Sequence, residues 1–560
     1  MKRHFGAAAA IACALAAAAP AVALAHDGGG GDPLSPGNLL VSGSTYREAD
    51  IQPGVTQLPP GCTAGNCATA TSDGAYPYVF NNDLADGSFG VTSPIFLWQL
   101  TPSGDVIGRT EVPTHELVTS FSSKSELALN LSTTGRAVTF MGYVARPREL
   151  DVSNSNTPGA IDPTNPVPGA DFRAAARLDR WGHLSFTETN AYSGNNGRAA
   201  VLNDEPGANV FYTAGNAGNG ANPQPAGVVA GAGAQIFSAS PAPEAAQSPG
   251  APTPVGSFSV AQLGDKADKI GKDDNFRGLT VADNVVYFTK GSGSNGVDTV
   301  YFVDTTGKAC PNGGVGLPVP GAKLPTAGIH YDPSTVASTG LTSNMCILRG
   351  FNTALAKNAT DASPFPFGIW FANPRTLYVA DEGAGDNAFD TASGTYSAAA
   401  ASTTAGLQKW VLTNTSSGPT WQFAYTLQGG LALGKPYLVP GYPIGDNTAT
   451  MLPWAPATGG LRNITGRVNR DGSVTIWAVT STVSGSGDQG ADPNQVVAIT
   501  DNPSAQAAPA GEAFHTVMAP RYGRVVRGVS LTPGGFEDHQ RGDVRKRRDR
   551  ARGRARRSAH

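Results

Sequence analysis

Histidine is scarce in this chain. Only 8 occur in 560 residues, and away from the two ends there are His115, His183, His330 and His515 alone. No G-x-S-x-G elbow and no H-E-x-x-H pair occurs, which argues against a Ser-His-Asp hydrolase and a zincin. Charged residues make up 15%, and no long stretch carries a helical apolar period, which argues against a helical bundle. After residue 25 no apolar run reaches membrane-spanning length. Three literal motifs fail on context. Gly291, Gly293 and Gly296 spell a dinucleotide fingerprint between two strands, with no helix following. Gly429 to Lys435 nearly spells a phosphate loop, but Pro436 stands where a magnesium-binding hydroxyl must be. Arg541-Gly542-Asp543 looks like an adhesion tripeptide, which chance explains in an arginine-rich tail.

Turn formers are what the chain has in quantity: 70 Gly and 42 Pro, together a fifth of its length. Recurring short runs of β-branched and aromatic residues lie between them, so the class is all-β. Residues 1–25 read as a secretory signal peptide, with Lys2 and Arg3 at its head, an Ala-rich apolar run, and Ala23-Leu24-Ala25 as cleavage site. Secreted or periplasmic location follows, and it makes cysteine readable. Without Cys13, an ill-fitting lipobox candidate, four remain, and local pairing gives Cys62 with Cys67 and Cys310 with Cys346. The second bridge closes a loop worth roughly 3–4 kcal/mol by loop entropy. No histidine is spaced to make these a zinc site. Residues 534–560 form a disordered tail whose Arg541–Arg557 stretch holds ten basic residues against Asp543 and Asp549. The body before it is acidic, and the tail is suited to an anionic envelope surface rather than to specific nucleic acid.

A strand–turn–strand unit recurs along the chain. RGLTVAD, NVVYFTK and TVYFVDTTG form the clearest copy; FGIWFANPR with TLYVADEG, and LRNITGRVNRDG with SVTIWAVTS, are two more. The residues just before each first strand are Glu126, Arg198, Arg277, Phe367, Arg462 and Arg527. Their spacing exceeds the roughly 40–50 residues of a minimal four-stranded blade, so each unit carries loop insertions. One strand, GVSLTP, follows Arg527, while LLVSGS, IFLWQL and DVIGRTEV near the start lack a first strand. Together they make one blade from both chain ends, which closes a ring and removes its free edge. The expectation is a β-propeller over residues 37–533 with six blades, or seven if the Gly/Ala/Pro-rich stretch conceals another. We read residues 216–252 as a low-complexity insertion.

The turns between first and second strands, and between third and fourth, are mostly short. The other connections are long, so a small molecule, glycan or protein partner is expected on the long-loop face near the channel. Residues 309–366 and 428–460 are assigned to that face, the latter carrying Tyr437, Tyr442 and Trp454. Those rings either stack on a ligand or pack the loop onto the propeller, and packing is the commoner use. Arg198, Arg277, Arg462 and Arg527 could ring the channel mouth and hold a carboxylate or phosphate. The competing reading pairs each with an acid of a neighbouring blade, such as Asp274 or Glu126. Asp381, Glu382 and Asp386 follow a second strand and offer carboxylates for Ca²⁺, as do Asp488 and Asp492 one blade on; turn chemistry also collects such residues.

LYVADEG and RGVSLTP, with the units around them, resemble exported bacterial β-propeller proteins, and more distantly NHL and SMP-30-like propellers. The lactonases among the latter hold a divalent metal with acid and amide side chains at the channel. That resemblance implies the fold and, as an alternative to a binding role, a metal-dependent hydrolase or lactonase. No ligand set transfers from it to numbered positions here.

Overall fold

The computed structural model is an all-β propeller of six blades, each with four antiparallel strands, to which blade four adds a short parallel fifth. It describes residues 33–45, 92–120, 127–147, 172–189, 195–216, 233–240, 275–310 except 294, 314–329, 344–358 and 363–534, with a few shorter pieces between. The signal segment, Cys62, Cys67, Glu126, Asp274, His330 and the basic tail beyond residue 534 lie outside the described residues.

From the axis outward, blade one consists of Arg524–Leu531, Leu39–Thr45, Ile95–Leu100 and Val106–Glu111. Its first strand comes from the C-terminal end and its second from the N-terminal end. Leu39 faces Leu531, Val41 faces Val529 and Thr45 faces Arg524. The shared blade expected from the strand count is therefore present. The innermost strands of the other blades are Asn130–Leu131, Gly197–Asn203, Leu279–Ala282, Pro366–Asn373 and Ala457–Val468.

The core lies between the blades. Each sheet is covered on both faces, which is why its strands read as nearly unbroken apolar runs rather than alternating ones. In blade one, Leu39 and Val41 pack with Trp477 and Val479 of blade six, while Leu40 turns the other way onto Val138 and Phe140 of blade two. Blade four sends Val286 and Phe288 against Tyr212 of blade three, and Tyr287 and Phe302 against Leu377 and Val379 of blade five. Radial packing of this kind keeps each blade dependent on its two neighbours.

Loop length is less segregated than the sequence implies. Cys346 lies in the fourth strand of blade four, Met345–Leu348, so residues 304–344 join its third strand to its fourth. This corrects the assignment of the Cys310–Cys346 segment to the long-loop face: it belongs to the opposite end. The strand was hidden because it is only four residues long and follows a 41-residue connection that itself adds Val315–Gly316, parallel to it. The two cysteines are bonded, with Cα atoms 6.0 Å apart. Within residues 216–252, Ala234–Ser238 forms the third strand of blade three, completed by Ser257–Phe258.

Candidate functional site

Five of the six innermost strands bring one class of position together. Arg198, Phe367, Arg462 and Arg527 do not precede their strands, as read from the sequence, but sit inside them where the ladder skips a residue. Arg277 does precede its strand; its N–H donates to Thr289 O, while Thr289 N–H donates to the O of Gly278. Two residues thus face one in each case, the geometry of a β-bulge, which re-aims side chains that a regular ladder would send between sheets.

The residue after each of these positions meets the next blade. A Cβ on Gly278 would stand 1.8 Å from Phe367 O, one on Gly368 2.4 Å from Arg462 O, and one on Gly528 2.2 Å from Leu127 O. Ala199 bridges to Ala128, and Asn463 Oδ1 accepts from Val529 N–H at 2.7 Å. Small or amide residues are required there because backbone meets backbone. The repeated pairs Arg277-Gly278, Phe367-Gly368 and Arg527-Gly528 were the signal for this in the sequence.

Around blade five these positions belong to a charged cluster. Arg462 Nε donates to Glu382 Oε2 at 3.0 Å, with both side chains largely buried, and its guanidinium lies 5.9 Å from the Phe367 ring centre. Arg277 donates to the Ser292 hydroxyl. Its burial lowers its pKa; the fields of Glu382 and Asp298 oppose that, and the field of Arg462 adds to it. Lys290 and Asp298 form a buried ion pair at 2.5 Å, and burial pushes the Asp298 carboxyl up against the attraction of that lysine. Asp381 is fully buried. It accepts N–H bonds from Phe365 and Gly383 at 2.9 Å and from Gln408 Nε2 at 3.0 Å. Burial, with the neighbouring Glu382 and Asp298 charges, pushes it up to about 7 against those backbone donors. Lys290 and Asp298 were not singled out in the sequence, although a lysine closing the run VVYFTK marks a charge entering an apolar layer.

The structure distributes the other candidates. Arg198, on blade three, donates to Asn275 Oδ1 and to Phe276 O, and Arg527 is buried in blade one. Asp381, Glu382 and Asp386 do not converge: Glu382 faces Arg462, and Asp386 accepts the N–H of Ala388 in an exposed turn. Among the described residues, the one group of three His, Cys, Asp or Glu ligand atoms within 4.8 Å is Asp304 with Cys310 and Cys346, whose sulfurs are joined to each other. Tyr437 donates to Pro493 O, Tyr442 donates to Asp492, and Trp454 packs edge-on to Tyr442 at 6.4 Å. Asp488 accepts the N–H of Gly490 at 3.0 Å. His115 and His183 are exposed, beside Glu116 and Asp179 respectively.

No protein-family profile and no curated protein matches the chain. Among solved structures, a Trichoderma reesei carbohydrate-active enzyme of family AA12 is similar at 10% identity and TM-score 0.30, over 84% of this chain and 98% of that one. Synechocystis apocarotenoid oxygenase is similar at 9% and 0.29, over 90% and 95%. Extracellular domains 1–2 of Drosophila semaphorin 1a are similar at 12% and 0.26, over 81% and 88%. Likenesses this weak carry no argument about function.

Proposed function

We propose that this chain is an exported binding propeller that takes a small anionic ligand, a carboxylate or a phosphate, at the channel mouth beside blade five. The observation that carries this reading is the meeting of Arg277 and Arg462, delivered by bulges from blades four and six, around Phe367. The field of Arg462 adds to the burial that lowers the Arg277 pKa, while Glu382, paired to Arg462, offsets part of that charge; an anion that displaces Glu382 would find two planar forks suited to carboxylate and phosphate geometry. Export is supported by the charged, apolar start of the sequence and by the bonded Cys310–Cys346 pair. No helix among the described residues is long and apolar enough to cross a membrane.

The test is a panel of small carboxylates and phosphates scored by thermal shift and then by titration calorimetry. Arg277→Gln is expected to weaken the best ligand about tenfold or more, the scale of one charge-assisted contact. Undiminished binding by Arg277→Gln and by Arg462→Gln would remove the reading. A calcium titration distinguishes the hydrolase alternative: it requires the parent protein, and not Asp381→Ala, to gain heat stability.

A further inference from the structure

A second site lies between blades four and five, reaching in to Pro366 of blade five's innermost strand. There a cavity of about 480 Å³ is lined by Thr299 and Phe351 from blade four and its exit loop, and by Val379, Gln408, Trp410 and Phe423 from blade five. That volume is in the lower range of small-molecule sites. No described residue of its lining carries a charge, which favours a neutral ligand.

The aromatic side is built rather than incidental. Trp410 Nε1 donates to Gln408 Oε1 at 3.2 Å, which fixes the indole. Phe351 stacks on Trp410 at 4.0 Å between ring centres, and Phe423 stands edge-on to it at 5.6 Å. Trp410 is thus flanked by two rings, of which Phe423 is 51% exposed. On the polar side, Thr299 is only 1% exposed, and its Oγ1 has no hydrogen-bond partner among the described residues. A buried hydroxyl without a partner destabilises the protein that carries it, and a ligand hydroxyl would satisfy it once a χ1 rotation brings Oγ1 into the cavity. Amides of Asn352 and Asn358 stand among the same lining residues.

We propose that this cavity binds a neutral pyranose sugar, its C–H face against the Phe423–Trp410 rings and a hydroxyl on Thr299 Oγ1. Aromatic faces attract the polarised C–H edges of such a ring, and neutral hydroxyl and amide groups meet its oxygens. The site and the ligand charge both differ from those proposed at the channel mouth, so either reading can fail alone.

The experiment is a glycan array of neutral and acidic oligosaccharides on the full chain, followed by calorimetry of the best neutral binder. Thr299→Val conserves shape and removes only the unmet hydroxyl, so it is expected to fold with an unchanged or raised Tm while weakening the sugar about tenfold. Phe423→Ala is expected to weaken it by a similar factor. Trp181→Ala, an exposed ring on blade two, leaves it unchanged. The proposal is overturned if no neutral saccharide binds, if only acidic ones bind, or if Thr299→Val and Phe423→Ala both bind as the parent does.

Discussion

Lys409 and Asp501 form an ion pair 3.3 Å long, both side chains fully buried, that joins blade five to blade six. The lysine also donates to Tyr425 Oη at 2.8 Å and to the carbonyls of Asn502 and Ala505 at 2.7 and 3.0 Å. Tyr378 and Tyr425 donate to the two oxygens of Asp501. Burial lowers the lysine pKa, and the carboxylate opposes that. Removing one partner leaves the other charge buried without compensation. Lys409→Ala is expected to lower the unfolding free energy by about 3–5 kcal/mol, measured by denaturant titration.

The same cluster makes stability depend on pH. Burial and the adjacent Asp501 carboxylate push the Glu512 carboxyl up to about 7 from its ordinary 4.5. A carboxyl raised in the folded state binds more protons folded than unfolded between those values. Its contribution is present in full below about pH 4.5 and is lost as pH rises through 7. Asp381, raised to about 7, acts with the same sign. Tm is therefore expected to fall between pH 5 and pH 8. Glu512→Gln, which mimics the protonated acid, flattens part of that slope by raising Tm at pH 8 and leaving it unchanged at pH 5.

Blade contact fixes what the bulges tolerate. Gly278→Ala would drive a Cβ into Phe367 O, and the blades must separate to admit it. A loss of about 1–3 kcal/mol is expected by denaturant titration, the range of overpacking. Gly108→Ala is the control, because its Cβ would meet only Gln99 Cβ at 3.8 Å; a change within about 0.5 kcal/mol is expected there.

Much of this architecture was legible in the sequence because blade hairpins are local. Asp283 and Asn284, both at positive φ, make the two-residue turn between Leu279–Ala282 and Val285–Lys290, and such turns are written in adjacent residues. The shared blade was legible by strand count. What was not legible depends on partners distant in the chain. The pairing of Cys310 with Cys346 was read correctly, but the strand Met345–Leu348 that carries Cys346 was not, and the cavity draws Thr299, Phe351 and Phe423 from three separate strands and loops. The arginines stood out in the sequence, but their bulges did not, since a bulge is a relation between two strands.

The Cys310–Cys346 bond ties the long connection of blade four to its outer strand. Cys310→Ser is expected to cost about 3–4 kcal/mol by loop entropy. Dithiothreitol should destabilise the parent by more than it does Cys310→Ser, and the excess should be of the same size.

Closure of the ring by the two chain ends places every innermost strand, and with it the channel mouth and the cavity. Thr45 and Arg524 face one another at the end of that shared pair. Thr45→Cys with Arg524→Cys should form an intramolecular disulfide on mild oxidation, seen as a linked peptide by mass spectrometry. Thr45→Cys with Thr532→Cys, at opposite ends of the pair, should not. Failure of the first link, or equal formation of both, would contradict the closed six-blade ring.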